Sequence, residues 1–242
     1  MSASELDAAN DGDIEAVITS GHIELIGRMP WSSNATFLAE ATLGEDSARV
    51  IYKPHIGERP LWDFPDGLWK REVAAYELSH ALGWEVVPFT VGRENAPHGI
   101  GSVQRFIDAD FEQHYFTLYE NRPDVHPSLR RLALFDIVAN NTDRKSGHVL
   151  IDRSDRVWGI DHGLCFASEF KLRTVIWDFA GTDVSDDEIA PIVALAQSVP
   201  LDVASLLDDD EVTALMERAS WLVEHRVFPH DPTGRAWPWP LV

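Results

Sequence analysis

The chain has 242 residues, with 40 Asp and Glu against 20 Lys and Arg, and a formal net charge of −20 at pH 7. A surface this acidic repels phosphate backbones and anionic lipid headgroups, which argues against nucleic-acid binding and peripheral membrane attachment. Its 45% hydrophobic and 25% charged residues are ordinary for a globular chain with a real core.

The single cysteine, Cys165, excludes an intramolecular disulfide and fits a reducing compartment. The first seventeen residues, MSASELDAANDGDIEAV, are acidic and polar, unlike a signal peptide. No apolar run approaches the roughly 20 residues of a membrane span. The expectation is a cytoplasmic protein without integral membrane association.

In chain order, residues 12–20 read as a short helix. His22–Met29, Ala35–Leu43 and Ala48–Lys53 read as three strands, rich in β-branched or apolar residues and separated by Pro, Ser, Asn and Gly. A loop rich in Pro, Gly and Trp, Pro54–Gly67, follows. Leu68–Leu82 is predicted as a helix by the spacing of Trp69, Val73, Tyr76 and His80, with Gly83 ending it. Val86–Val91 and Gly101–Ile107 read as further strands. Ser128–Asn140 is apolar and helical. Val149–Asp152 and Val157–Ile160 form a short hairpin turning around Arg153–Arg156, and from Ser185 the chain is helical down to the tail RAWPWPLV. The class is therefore α+β, with a sheet-rich half at 1–107 and a mainly helical half at 108–242.

The stretch Asn140–Gly163 carries the chemistry. A helix ends, a polar loop places Asp143 at its apex, a hairpin follows, and Asp161 comes just after the hairpin's second strand. A hairpin between two acidic loops folds them back side by side. That brings two carboxylates near one point, as metal-assisted phosphoryl transfer requires. Gly163 is expected to provide the sharp turn after Asp161.

The succession D-x-K-x-x-H at Asp143–His148, a hairpin, then D-H-G at Asp161–Gly163 resembles the catalytic and metal loops of the protein-kinase-like superfamily. The nearest flavour is the phosphatidylinositol 3- and 4-kinase family with its bacterial, HipA-type relatives. The resemblance covers roughly residues 22–180. It implies a two-lobed kinase-like fold, with a nucleotide-binding lobe at 1–107 and a catalytic lobe at 108–242, that uses ATP with Mg or Mn. Asp143 is then the residue that orients or deprotonates the acceptor hydroxyl, Lys145 steadies the transferred phosphate, and Asp161 holds the metal. His148 stands where most of these enzymes carry a metal-binding Asn, and His162 where a Phe is usual.

The first half supplies the remaining parts of that pattern. Lys53, at the end of the third strand, is placed to reach the phosphates of ATP, held by Glu72 on the following helix, with Glu77 as the competing partner. There is no G-x-G-x-x-G. Ser32, Ser33 and Asn34 stand in its place, where backbone N–H groups can form an anion-binding nest. Gln104, Arg105 and Phe106 fall at the lobe connection, where backbone groups meet adenine.

Two other readings use the same residues. One is a nucleotide- or partner-binding pseudokinase, favoured by His148. The other is a metal hydrolase built on Asp143, His148, Asp161 and His162, since His and carboxylate ligands suit Zn, Mn or Fe. A protein, lipid or small-molecule acceptor is compatible with the sequence, and Trp62 and Phe64 in the 54–67 loop are candidates to shape the acceptor side.

Overall fold

The computed structural model describes residues 13–30, 34–231 and 233–241. The chain divides into two compact units. The first comprises residues up to Val73 together with Pro88–Phe106, and the second comprises Ala74–Val87 and Ile107–Val242.

The first unit is a five-stranded antiparallel sheet. Its strands are β1 (His22–Arg28), β2 (Phe37–Leu43), β3 (Asp46–Pro54), β4 (Thr90–Arg93) and β5 (Gly101–Arg105), in the spatial order β1-β2-β3-β5-β4. Val50 and Tyr52 of β3, Ala39 and Ala41 of β2, Ile23 of β1 and Val103 of β5 are all buried. They are alternate residues of their strands, so they share one face of the sheet. Val17 and Ile18, from a helical segment at 13–20, pack into the same cluster. Arg93 ties that segment to β4 by donating to the Ile18 carbonyl at 2.8 Å and the Gly21 carbonyl at 2.9 Å. Where β5 crosses the end of β3 the backbones nearly touch: a Cβ on Gly101 would lie 2.3 Å from the Lys53 carbonyl oxygen. Only glycine lets β5 pass so close beside the candidate lysine.

Helix α1 (Leu68–Ala81) begins where the Glu58 carboxylate accepts the N–H groups of Leu68 (2.9 Å) and Trp69 (2.7 Å). These are two of the four donors that a helix start leaves unpaired. Residues 71–76, 78 and 79 are buried, so the helix is enclosed on almost every side. His80, expected on the buried stripe, is instead exposed and pairs with Glu85 at 3.0 Å. The predicted strand Val86–Val91 is displaced to Thr90–Arg93 for a local reason. The Ser79 hydroxyl accepts the N–H groups of Val86 (2.9 Å) and Val87 (3.3 Å), and Pro88 has no N–H to give a ladder.

The second unit holds α2 (Tyr115–Asn121), α3 (His126–Ala139), the hairpin β6 (Val149–Ile151) and β7 (Val157–Gly159), then α4 (Asp186–Gln197), α5 (Leu201–Ala204) and α6 (Asp209–His225). Asn140 stops α3 in the left-handed conformation, φ 50°. The hairpin turn is held by Asp152, whose Oδ1 accepts the N–H groups of Ser154 (2.8 Å) and Arg156 (3.0 Å). Ser185 and Glu188 cap α4 reciprocally. Arg218 of α6 donates to the Val138 carbonyl at 2.7 Å, fastening α6 to the end of α3. Among the described residues no helix is long and apolar enough to cross a membrane.

Candidate active site

In the first unit, Lys53 of β3 donates from Nζ to Glu72 Oε1 on α1. The Glu72 side chain is 3% exposed and that of Lys53 21%, so the carboxylate is held inside while the ammonium keeps an outer face. Glu77, the competing partner, belongs to the second unit. Burial and the nearby Asp202 raise its carboxyl above the usual range, while His80 acts in the opposite direction.

Ser32 and Ser33 lie outside the described residues. Asn34 accepts the Arg59 N–H on its side-chain oxygen at 3.1 Å, and the Ala35 N–H donates to the Gly57 carbonyl at 3.1 Å. The loop after β3 thus holds the end of the loop before β2. Gln104 is buried and donates to the Thr90 hydroxyl at 2.8 Å. The Arg105 N–H bonds the Phe89 carbonyl at 2.8 Å and the Phe106 N–H the Arg49 carbonyl at 3.0 Å. The N–H groups of the expected connector at Arg105 and Phe106 are therefore both engaged by neighbouring backbone carbonyls.

In the second unit, the loop after α3 and the turn after β7 come together. Two backbone bonds fix their approach, Ile160 N–H to the His148 carbonyl (3.0 Å) and Thr142 N–H to the Leu164 carbonyl (3.1 Å), while the Gly159 N–H ties β7 to the Val86 carbonyl (2.7 Å). Asp143 forms an ion pair with Lys145 at 2.9 Å. Burial pushes the Asp143 carboxyl above the usual aspartate range. Lys145 pulls it back down, and the neighbouring Asp161 carboxylate pushes it further up. The two carboxylates are thus electrostatically coupled.

The turn expected at Gly163 is present, closed by the Cys165 N–H donating to the His162 carbonyl at 3.1 Å, and Asp161 just before it has a φ of 61°, in the left-handed region where Asp and Asn are the most tolerated non-glycine residues. Its side chain is 51% exposed and faces His148 Nε2 at 3.4 Å. The Lys145 N–H approaches the other His148 nitrogen, Nδ1, at 3.5 Å. His162 points elsewhere. It is fully buried, its Nε2 lies 2.7 Å from Arg144 Nη2, and its ring meets Phe135 edge-on. A guanidinium has only donors, so Nε2 accepts and the neutral ring carries its proton on Nδ1. His162 is therefore engaged in the core, and a mononuclear site combining it with Asp161 loses one of its four ligands.

Three ligand atoms that lie within 4.8 Å of one another belong to His55, Glu58 and Asp66 in the first unit. There the imidazole sits between two carboxylates, Nδ1 3.2 Å from Glu58 and Nε2 3.3 Å from Asp66, and Glu58 already caps α1 through both oxygens. The arrangement anchors a helix start.

Asp136 and Arg144 are not among the sequence candidates. Both are 0% exposed and they form an ion pair at 2.9 Å directly beneath the Asp143 loop. The signal was present, since one carboxylate within the apolar run LALFDIVA has to find a buried partner. The Trp/Pro tail also reaches this loop, the Leu241 carbonyl accepting the Ser146 N–H at 2.8 Å. Trp239 is itself 87% exposed.

No family model matches the sequence. The chain is 38% identical over 265 residues to Protein Rv2133c of Mycobacterium tuberculosis, a match covering 94% of this chain and 95% of that one. Among solved structures, that of hydra Fam20 with sugar superposes with a TM-score of 0.54 at 14% identity, over 86% of this chain and 85% of that one. The Helicobacter pylori proinflammatory kinase CtkA gives a TM-score of 0.47 at 12% identity, over 87% and 94%. The antiparallel sheet with one helix and the mainly helical remainder are the α+β, protein-kinase-like fold, shared with the Fam20 structure.

Proposed function

The chain belongs to the family of Protein Rv2133c, and we propose that it is an atypical kinase that moves the γ-phosphate of ATP to a hydroxyl acceptor with the help of Mg or Mn. The observation that carries this reading is that the Asp143 loop and the Asp161 turn, joined by one hairpin, are bonded to each other through Ile160 N–H to the His148 carbonyl and Thr142 N–H to the Leu164 carbonyl. The loop Asp143–His148 and the turn Asp161–Gly163 support a place near the phosphatidylinositol 3-/4-kinase-like and HipA-type kinases. On this reading residues 1–107 form the nucleotide lobe and 108–242 the catalytic lobe of one cytoplasmic domain.

Asp143 takes the acceptor's proton. Its burial makes it a better base than a solvated aspartate, and Lys145 keeps it ionised and stands ready for the transferred phosphate. Lys53, oriented by Glu72, meets the α- and β-phosphates. Asp161, exposed and anionic, is the principal metal ligand and fits either ion. His148 fits Mn better than Mg, because imidazole is the softer donor and Mg prefers oxygen. A bound divalent ion supplies charge neutralisation for the phosphates. The hydra Fam20 structure holds a sugar, so a sugar hydroxyl is the first acceptor class to test ahead of protein and lipid. Asn34, Gln104, Arg105 and Phe106 stay assigned to the nucleotide side, with adenine recognition resting on groups other than the Arg105 and Phe106 N–H.

The second reading, a nucleotide-binding module without turnover, is favoured by His148 lying against Asp161. Asp161→Asn keeps the left-handed turn and removes the charge, and it should weaken metal–nucleotide binding. Asp143→Asn should leave that binding within about twofold while lowering transfer by about 10²–10⁴-fold. Equal turnover in wild type and Asp143→Asn refutes the catalytic assignment, and nucleotide binding with no transfer in the wild type supports the module.

A further inference from the structure

Asp136 sits in the last turn of α3 with no exposed surface. Its Oδ1 accepts from Arg144 Nε (3.1 Å), Arg144 Nη2 (2.9 Å) and Asn141 Nδ2 (3.0 Å). Its Oδ2 accepts from Arg144 Nε (3.0 Å) and the Thr174 hydroxyl (3.3 Å). Two chains of bonds leave this one carboxylate. Through Asn141, whose Oδ1 accepts the Asp143 N–H at 3.0 Å, it reaches the backbone of the first candidate acid. Through Arg144 it reaches both neighbours of the second. Nη1 donates to the Ile160 carbonyl at 2.7 Å and the His148 carbonyl at 3.3 Å, and Nη2 to His162 Nε2 at 2.7 Å.

A guanidinium has five N–H groups, and Arg144 directs Nε, Nη1 and Nη2 at five acceptors: Asp136 twice, His148, Ile160 and His162. Lysine offers three donors from one point and cannot bridge this set. The packing is shaped around it as well, for a Cβ on Gly159 would lie 3.2 Å from Arg144 Nη2 and 2.6 Å from Leu132 Cδ1. A buried ion pair is a poor way to gain stability, since apolar residues of the same volume do as well or better. What this pair provides is a fixed geometry.

We propose that Asp136 and Arg144 are the positioning residues of the site, setting Asp143 through Asn141 and Asp161 through the Ile160 carbonyl and His162. The proposal rests on the reading of Asp143 and Asp161 as the working carboxylates. It also predicts a behaviour of the ligand-free protein that does not depend on that reading.

Arg144→Lys keeps the charge opposite Asp136 but releases the Asp161 turn. In the ligand-free variant, amides 160–163 should exchange faster with solvent while those of the five-stranded sheet stay unchanged. Affinity for Mn with a non-hydrolysable ATP analogue should fall about 10–100-fold, the usual loss when the support behind a ligand is removed. Asn141→Ala releases the other arm: the Asp143 amide should exchange faster and transfer should fall about tenfold or more, with Mn–nucleotide affinity within twofold of wild type. A lowered melting temperature with unchanged exchange at 160–163 and unchanged Mn–nucleotide affinity in Arg144→Lys would overturn the proposal. If Arg144→Lys does not fold, Asn141→Ala decides, and unchanged exchange at Asp143 overturns it. A wild type that binds no Mn–nucleotide sinks the kinase reading alone, and the exchange measurements then decide the positioning claim.

Discussion

Separating Lys53 from Glu72 should reveal a strongly coupled and asymmetric pair. Glu72 is 3% exposed and Lys53 21%, so the carboxylate depends on the ammonium more than the reverse. A hydrogen bond to a charged group contributes about 1.5–3 kcal/mol. Glu72→Gln keeps the shape and leaves a lysine that water can still reach, and it should cost about 1–2 kcal/mol. Lys53→Met leaves a buried carboxylate without its ammonium and should cost more, toward the roughly 3–5 kcal/mol seen when one member of a buried pair is removed. The double variant should be less destabilised than the sum by about 1–3 kcal/mol. At about 2–4 °C per kcal/mol for a chain of this size, Lys53→Met should lower Tm by about 6 °C or more. The assay is a double-mutant cycle by urea denaturation, repeated as nucleotide titrations in which both single variants should weaken binding less than additively. Additivity within about 0.5 kcal/mol in stability and in affinity would refute the pairing as a functional unit.

The pH response follows from Asp143. Burial holds its carboxyl above the ordinary 3.8. The folded state therefore binds a proton more tightly than the unfolded one, and stability falls as the pH rises through the window just above 3.8. Asp143→Asn removes that dependence, so it should be the more stable protein at neutral pH, and its advantage should shrink as the pH is lowered toward 4. Denaturation curves of the two proteins at several pH values check this; an advantage independent of pH, or none, counters it. At His148, substitution by Asn should shift metal preference from Mn toward Mg. The Mn affinity of the wild type should weaken as the pH falls through about 6.5, the ordinary imidazole range. Identical Mn-to-Mg ratios in the two proteins, titrated with a non-hydrolysable ATP analogue, would remove His148 from the metal's ligands.

The parts that were legible in the sequence are those written in local periodicity and turn chemistry. The strands β1 to β3, helix α1, and the hairpin around Asp152 all have alternation or spacing that a short window contains. Two features escaped because neither is announced by periodicity or by a turn residue. Val86 and Val87 are β-branched and read as strand, but the Ser79 hydroxyl takes their N–H groups and moves the strand on to Thr90. At Asp161 the left-handed conformation has no glycine to announce it, although the turn expected at Gly163 is present just after it. In the site, the acidic loops stood out as polar residues at turn positions. Their support did not, because Asp136 looks like an oddity in an apolar helix until Arg144, eight residues on, is folded back against it. Helix α2 went unread: its short run YFTLYEN buries Tyr115 and Leu118 alone and has no long period to betray it.

The central claim is that this fold binds ATP through a metal held at Asp161. Thermal unfolding of the full chain with millimolar ATP and Mg or Mn tests it most directly. A ligand that binds only the folded state stabilises by RT ln(1 + [L]/Kd), about 2.7 kcal/mol at a hundred times Kd. For 242 residues that corresponds to a rise in Tm of about 5–11 °C, and the rise should require the metal and vanish in Asp161→Asn. An unchanged Tm with either metal at saturating nucleotide, or an equal rise in Asp161→Asn, would contradict it.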